Sequence, residues 1–293
     1  MADCVCIGSV LWDIIGHAPR RMALGNDVPG RIIRQPGGVA MNIARTLKGL
    51  GLTPALLTAI GTDAEGEALL AACAAIGLDT AHVLRDPSLP TDSYMAIEGA
   101  GGLVAAIADA HSLEAAGARI LAPLIDGPLG SVRAPYTGSI ALDGNLTEAL
   151  LSEIAAHPAF AAADLRVAPA SPGKATRLTP LLARPNAVLY VNLEEAGLLL
   201  GAPVPSAEAA AQALCGRGAA RVLVTDGGGA AADAGPHGCS IARPPSVTVR
   251  RVTGAGDTFM AAHLVAERRG AGPAEALTAA VSAAARFVSA PEL

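Results

Sequence analysis

Short apolar runs alternate along the chain with longer segments whose apolar residues recur at helical spacing. Val5 to Val10 reads as a buried strand ending near Trp12 and Asp13. From His17 to Gln35 the pattern breaks at Pro19, Gly25, Pro29 and Gly30, which predicts irregular chain. Gly37-Gly38 then opens a helix predicted over Met41 to Leu50 and stopped by Gly51. Ala55 to Ile60 predicts a strand, Gly61-Thr62-Asp63 a turn, and Glu65 to Ile76 a helix. Two apolar runs, Ser93 to Ile97 and Leu103 to Ile107, flank Glu98-Gly99-Ala100-Gly101-Gly102 and predict a hairpin. Strands are then predicted at Ser139 to Leu142, Leu165 to Ala168, Ala187 to Val191 and Arg221 to Thr225, with a helix at Glu148 to Ala156. Such alternation predicts an α/β fold, a mostly parallel sheet with helices on both faces. The hairpin and the early irregular segment would form a small appendage, a lid.

Composition narrows the functional classes. The 293 residues are 52% hydrophobic but 2% aromatic, with Ala, Leu, Val and Gly supplying the apolar content. This suits helices packed on a parallel sheet and speaks against a nucleic-acid stacking surface. The formal net charge of −5 and the lack of any Lys/Arg block argue against nucleic-acid or anionic-membrane partners. Cys4 and Cys6 would share one strand face, and no second Cys or Cys/His pair stands at ligand spacing. The five cysteines are therefore expected as reduced thiols, and no zinc site is expected. The first apolar run is short, lacks a basic leader and is interrupted by Asp13, so a soluble, cytoplasmic chain is expected.

Four segments carry candidate chemistry. Thr253-Gly254-Ala255-Gly256-Asp257-Thr258 precedes an apolar helical run. Glycines let the backbone approach a ligand, and a helix start offers free N–H groups and a positive dipole end, which together cradle an anion. An acid there repels a bound anion, yet it is what a hydroxyl needs if it must lose a proton beside a phosphate. Asp257 reads equally well as a helix cap or first-turn acid. In Gly37-Gly38-Val39-Ala40-Met41-Asn42, paired glycines open a helix whose first turns carry Asn42, suited to a polyol, though a tight strand-to-helix turn has the same look. Asn192-Leu193-Glu194-Glu195 follows a strand and could order a hydrated Mg²⁺, or simply begin a helix. Val224-Thr225-Asp226-Gly227-Gly228-Gly229 is a strand running into a glycine loop.

The order and spacing of the four resemble the PfkB carbohydrate and nucleoside kinase family over nearly the whole chain. The resemblance implies one ribokinase-like domain over 1–293, a three-layer α/β/α fold with a small β lid from about 12–32 and 90–108. It implies transfer of the ATP γ-phosphoryl group, with ATP and Mg²⁺ as cofactors. Asp257 would be the base and the Gly254, Ala255 and Gly256 backbone the anion hole. Asp13 matches the acid that holds sugar hydroxyls, and Gly37, Gly38 and Asn42 match sugar-binding positions. Asn192 and Glu195 match the Mg²⁺/phosphate motif, while Thr225, Gly227 and Gly229 match the nucleotide loop. Gly37 to Gly51, Pro90 to Ala110 and Val252 to Asp257 further resemble bacterial pseudouridine kinases, which adds Ser93 and Asp109 as candidates for reading the substrate. Arg251 stands where many relatives have Asp, a position linked to activation by K⁺, and puts that dependence in doubt. Tyr190-Val191 replaces the usual Lys-Pro before Asn192, and Ala168 stands where relatives often show Asp. Another sugar or nucleoside acceptor and a silent sugar- or nucleoside-binding protein remain alternatives. A dinucleotide-binding oxidoreductase is disfavoured, because the first strand lacks G-x-G-x-x-G. A homodimer through the lid is a further expectation.

Overall fold

The computed structural model describes residues 2–23, 25–100 and 102–290, with Leu103 described for its backbone alone. Gly101, at the tip of the predicted hairpin, and Leu24, within the predicted lid, lie outside the described residues, as do residues 291–293 of the predicted domain.

An eight-stranded sheet forms the middle of three layers. Its order across the sheet is Gly238–Ala242, Ala231–Gly235, Arg221–Thr225, Ala187–Asn192, Asp164–Ala168, Ser139–Asp143, Cys4–Ile7 and Pro54–Leu57. Strands from Pro54–Leu57 through Arg221–Thr225 pair in parallel, and the last two pair antiparallel at the edge. The period-2 alternation of the strands sorts their side chains into two cores. Val5, Ile7, Ile140, Leu142, Leu189 and Val191 face one side, where Leu113, Leu151 and Leu214 pack on them. Cys4, Cys6, Leu56, Ala141, Tyr190 and Leu223 face the other, under Met41, Leu47, Leu69, Met260 and Leu277. Each fully enclosed Leu or Ile contributes about 1.5–3 kcal/mol. All five cysteines are free; Cys4, Cys6 and Cys73 are buried, while Cys215 and Cys239 are half-buried.

The predicted strand Val5 to Val10 is two pieces. Cys4–Ile7 stays in the main sheet, the chain turns at Gly8, and Leu11–His17 enters a separate four-stranded lid sheet. That sheet runs Arg31–Gly37, Leu11–His17, Ser93–Gly99, Gly102–Asp109, so the predicted hairpin is present. The segment expected to be irregular up to Gln35 contains a strand instead: Arg31–Gly37 is an outer strand paired residue for residue with Leu11–His17. An edge position tolerates Pro36, whose missing N–H would break a central strand. Ala55 to Ile60 also divides, with Pro54–Leu57 in the main sheet and Ala59–Gly61 paired to Leu84–Asp86. Among the described residues, no helix is long and apolar enough to cross a membrane.

Candidate active site

Cys4–Ile7 lies between Pro54–Leu57 on one side and Ser139–Asp143 on the other. The chain order reverses there, and in open α/β sheets the crevice beyond the carboxyl ends of such strands takes ligands. Asp143 sits at this point, fully buried, accepting from the backbone N–H groups of Ser9 (2.8 Å), Ala40 (3.1 Å) and Asn145 (2.7 Å). Burial pushes its carboxyl up, and these hydrogen bonds pull it back. Asp143 thus ties the first strand to the glycine-led helix. Sequence reasoning missed it, although Asp143-Gly144-Asn145 at a strand end was the available signal.

The helix Val39–Gly49 begins at Gly38, whose φ of +93° and close approach to the Ser9 carbonyl exclude a side chain. A Cβ on Gly37 would overlap the Asp13 carboxylate, so the lid acid rests on the glycine pair. Asn42 Nδ2 donates to Asp257 Oδ2 at 2.9 Å, and Arg45 Nη2 donates to Asn42 Oδ1 at 2.7 Å. Burial raises Asp13 to about 6, opposed by the Arg45 charge. Asp13, Gly37, Gly38, Asn42 and Asp257 therefore converge, joined by Arg45, which the sequence did not single out.

Asp257 is the third residue of the helix Ala255–Arg268, which Gly254 caps in the left-handed conformation at φ +90°. Its carboxylate accepts from Asn42 on the neighbouring glycine-led helix and leaves its own helix start uncapped by any side chain. The Ala255 N–H turns inward to the Val252 carbonyl at 3.0 Å. Open space surrounds Gly256, and among the described residues no protein acceptor takes the Gly254 or Gly256 N–H. Those two amides face the place where the dipole favours negative charge. Burial raises Asp257 to about 7; the Asn42 hydrogen bond and Arg45 oppose the rise, while Asp143 and Asp13 add to it.

The far end of this helix is pinned. Glu267 accepts from Arg166 and Arg221, His263 Nδ1 pairs with the Tyr190 hydroxyl at 2.9 Å, and Arg221 forks onto Asp233. Tyr190 and Val191, the departures before Asn192, point into the two cores and away from the strand end. Ala168 is likewise buried.

Asn192 and Thr225 end adjacent strands and pair in register, which places both motifs at the carboxyl edge. Asn192 and Glu195 close a capping box: Asn192 Oδ1 accepts from the Glu195 N–H at 2.9 Å, and Glu195 Oε2 accepts from the Asn192 N–H at 2.7 Å. Glu195 is buried and raised to about 7 by that burial. Its second oxygen remains for an aqua ligand, so the donor set fits a hydrated Mg²⁺ held through water. Gly227 adopts φ +51° over open space, and the Gly229 N–H closes the loop onto Asp226 at 2.6 Å. Ser93 and Asp109 are set apart from this group. Ser93 is the register partner of Trp12 and Asp109 of Ser93, whereas Asp13 shares its sheet face with Tyr94 and Ala108. Asp109 is exposed and bonded to His111 at 2.9 Å. Tyr94, on the Asp13 face, was missed, and period-2 counting from Asp13 could have found it.

Residues 1–292 match the pfkB family carbohydrate kinases, and the chain belongs to that family. An uncharacterized sugar kinase, YeiI, of Escherichia coli is 34% identical over 145 residues, 49% of this chain and 38% of that one. Pseudouridine kinase of E. coli is 34% identical over 119 residues, 40% of this chain and 38% of its own. The aligned stretches thus span about two fifths of these curated relatives. A carbohydrate kinase from Agrobacterium tumefaciens superposes with a TM-score of 0.79 at 28% identity, covering 97% of this chain and 90% of that one. Ribokinase of Arabidopsis thaliana, solved with ribose and ATP, shares the fold at a TM-score of 0.78 and 21% identity over 99% and 94% of the two chains. The fold is ribokinase-like.

Proposed function

We propose that the chain is an ATP-dependent kinase that transfers the γ-phosphoryl group to the 5′-hydroxyl of a ribosyl acceptor, with pseudouridine as that acceptor. One observation carries the reading: Asp257, raised to about 7, stands at the helix start between the free Gly254 and Gly256 amides and Asn42. A carboxylate with that proton affinity accepts a hydroxyl proton near neutral pH. The acceptor oxygen then bonds to phosphorus, the bond to the β-phosphate oxygen breaks, and ADP leaves. The two amides stabilise charge on the transferred group. Asp13 and Asn42 hold the acceptor's hydroxyls, and Tyr94 lies on the same lid face. Thr225, Gly227 and Gly229 receive the nucleotide. Mg²⁺, held through water near Glu195 and Asn192, supplies neutralisation of phosphate charge. Similarity to pseudouridine kinase supports the acceptor. A second copy of the chain, covering the lid's outer face, is the proposed partner.

Mg-ATP turnover against pseudouridine, uridine, adenosine and ribose, with Asp257→Asn in parallel, tests the reading. The expected result is turnover of pseudouridine, reduced at least about a thousandfold in the variant. Turnover of ribose or another nucleoside instead would replace the acceptor and keep the kinase. Binding of pseudouridine without turnover would make the chain a silent binding protein, and an active Asp257→Asn would remove the base.

A further inference from the structure

Arg45 lies one turn beyond Asn42 on the helix Val39–Gly49 and is half-buried. Its Nη2 donates to Asn42 Oδ1 at 2.7 Å, and the other end of the same amide donates to Asp257 Oδ2 at 2.9 Å. A side-chain amide can be turned over, exchanging its acceptor and donor ends. Turned over here, the amide would place its oxygen against the Asp257 carboxylate and its NH₂ against the guanidinium, two repulsive contacts. Arg is a donor at every working pH, so it fixes one direction. The bond runs from guanidinium to amide oxygen, then from amide N–H to carboxylate.

We infer that Arg45 is a positioning residue: acting through Asn42, it holds Asp257 as an ionised acceptor with Oδ2 occupied and Oδ1 free for the substrate's hydroxyl proton. The inference rests on the phosphotransfer reading of Asp257. A guanidinium serving only as an ion pair would bond Asp13 or Asp257 directly. Arg45 instead bonds a neutral amide, which is the geometry a relay requires. The charged groups around Asp257 come from each element packed on it: Arg45 from the glycine-led helix, Asp143 from the central strand and Asp13 from the lid. The two acids oppose ionisation of Asp257, and Arg45 favours it. Arg251 also faces Arg45 and repels it, but Arg251 is held elsewhere, by the Phe287 carbonyl at 3.1 Å and by stacking on the Phe287 ring. Arg45 is thus the cation turned toward Asp257 and Asp13, while Lys174 acts on Asp143.

The test follows the side-chain ¹⁵N–¹H resonances of Asn42, assigned by their loss in Asn42→Ala, from pH 5 to 9. In the unmodified protein they should move with the ionisation of Asp257. In Arg45→Gln the midpoint should rise by about half to one pH unit, and Arg45→Lys should recover most of the difference. Should Arg45→Gln not fold, Arg45→Met, which keeps the apolar stem, takes its place. With whichever acceptor the enzyme phosphorylates, kcat should fall about tenfold at unchanged KM for ATP, and the acidic limb of kcat/KM should move up with the midpoint. An unmoved midpoint in the charge-free variant overturns the inference. The titration needs no acceptor, so failure of the kinase reading would show separately, as absent turnover in the unmodified protein.

Discussion

A carboxylate enclosed by Asn42, Asp143 and Asp13 is costly to ionise, and Asp257 makes that cost visible as a pH dependence of stability. Its value in the folded chain is about 7 against an ordinary 3.8. Between those values the folded chain keeps a proton that the unfolded chain has released. Stability therefore falls as pH rises through the window, and the deficit is complete above about 7. Asp13, raised to about 6, acts in the same direction. Asp257→Asn removes the charge while preserving an acceptor for the Asn42 N–H. Its Tm should exceed that of the unmodified protein by about 2–5 °C at pH 8.5, corresponding to about 1–2 kcal/mol after allowance for partial solvent access. The gain should shrink at pH 5.5. Scanning calorimetry at both values decides it, since a pH-independent gain or a loss at pH 8.5 would mean that Asp257 is not enclosed as described. The variant expected to abolish turnover is thus expected to be the more stable protein.

At the scale of elements, several of the candidate residues are placed by how a helix starts. Gly38 and Gly254 begin two helices at positive φ, and Asn192 begins a third through a reciprocal cap with Glu195. The cap gives Glu195 two separable duties. Glu195→Gln keeps an oxygen for the Asn192 N–H but loses the charge that would hold a hydrated cation. Its Tm should not fall, and above pH 7, where the enclosed charge costs stability, should rise by about 1–3 °C, while the Mg²⁺ concentration for half-maximal turnover rises about tenfold. Glu195→Ala loses the cap as well, and its Tm should fall by about 2–4 °C, near 1 kcal/mol. Equal Tm losses in both would assign Glu195 to metal-independent folding alone. Much of this was legible in sequence, because paired glycines, Asn-x-x-Glu and Gly-Ala-Gly-Asp mark helix starts by local chemistry. Glu148–Ala156 and Arg221–Thr225 were located to the residue. The Ala231–Gly235 and Gly238–Ala242 edge pair went unread, since its Ala, Gly and Asp carry little strand preference. Asp143 reaches Ser9 and Ala40, and Arg45 reaches Asp257 through Asn42, over sequence separations that a local pattern does not encode.

For the whole molecule, the lid's register decides what each of its faces does. Asp13, Tyr94 and Ala108 share one face, so their neighbours along the strands must share the other. On that other face Ile14, Met95 and Ile107 form one cross-strand row, and Ile32 and Ile97 form the next. Ile32 is 78% exposed, Ile107 71% and Met95 47%, a group of exposed apolar side chains on one lid face, beside which Arg34 pairs with Ile14. A second copy presenting the same face would cover it with an isologous contact. The purified chain should therefore sediment as a dimer at micromolar concentration. The double variant Ile32→Glu, Ile107→Glu should sediment as a monomer with unchanged far-ultraviolet circular dichroism. Because Asp13 and Ile14 are adjacent on one strand, freeing the outer face should loosen the inner one. The monomeric variant should show a KM for the acceptor raised about tenfold, with the KM for ATP, proposed to bind at the Thr225 loop away from the lid, unchanged. A monomeric unmodified chain would remove the partner, and a monomeric variant with an unaltered acceptor KM would show that the lid positions Asp13 without help from its outer face.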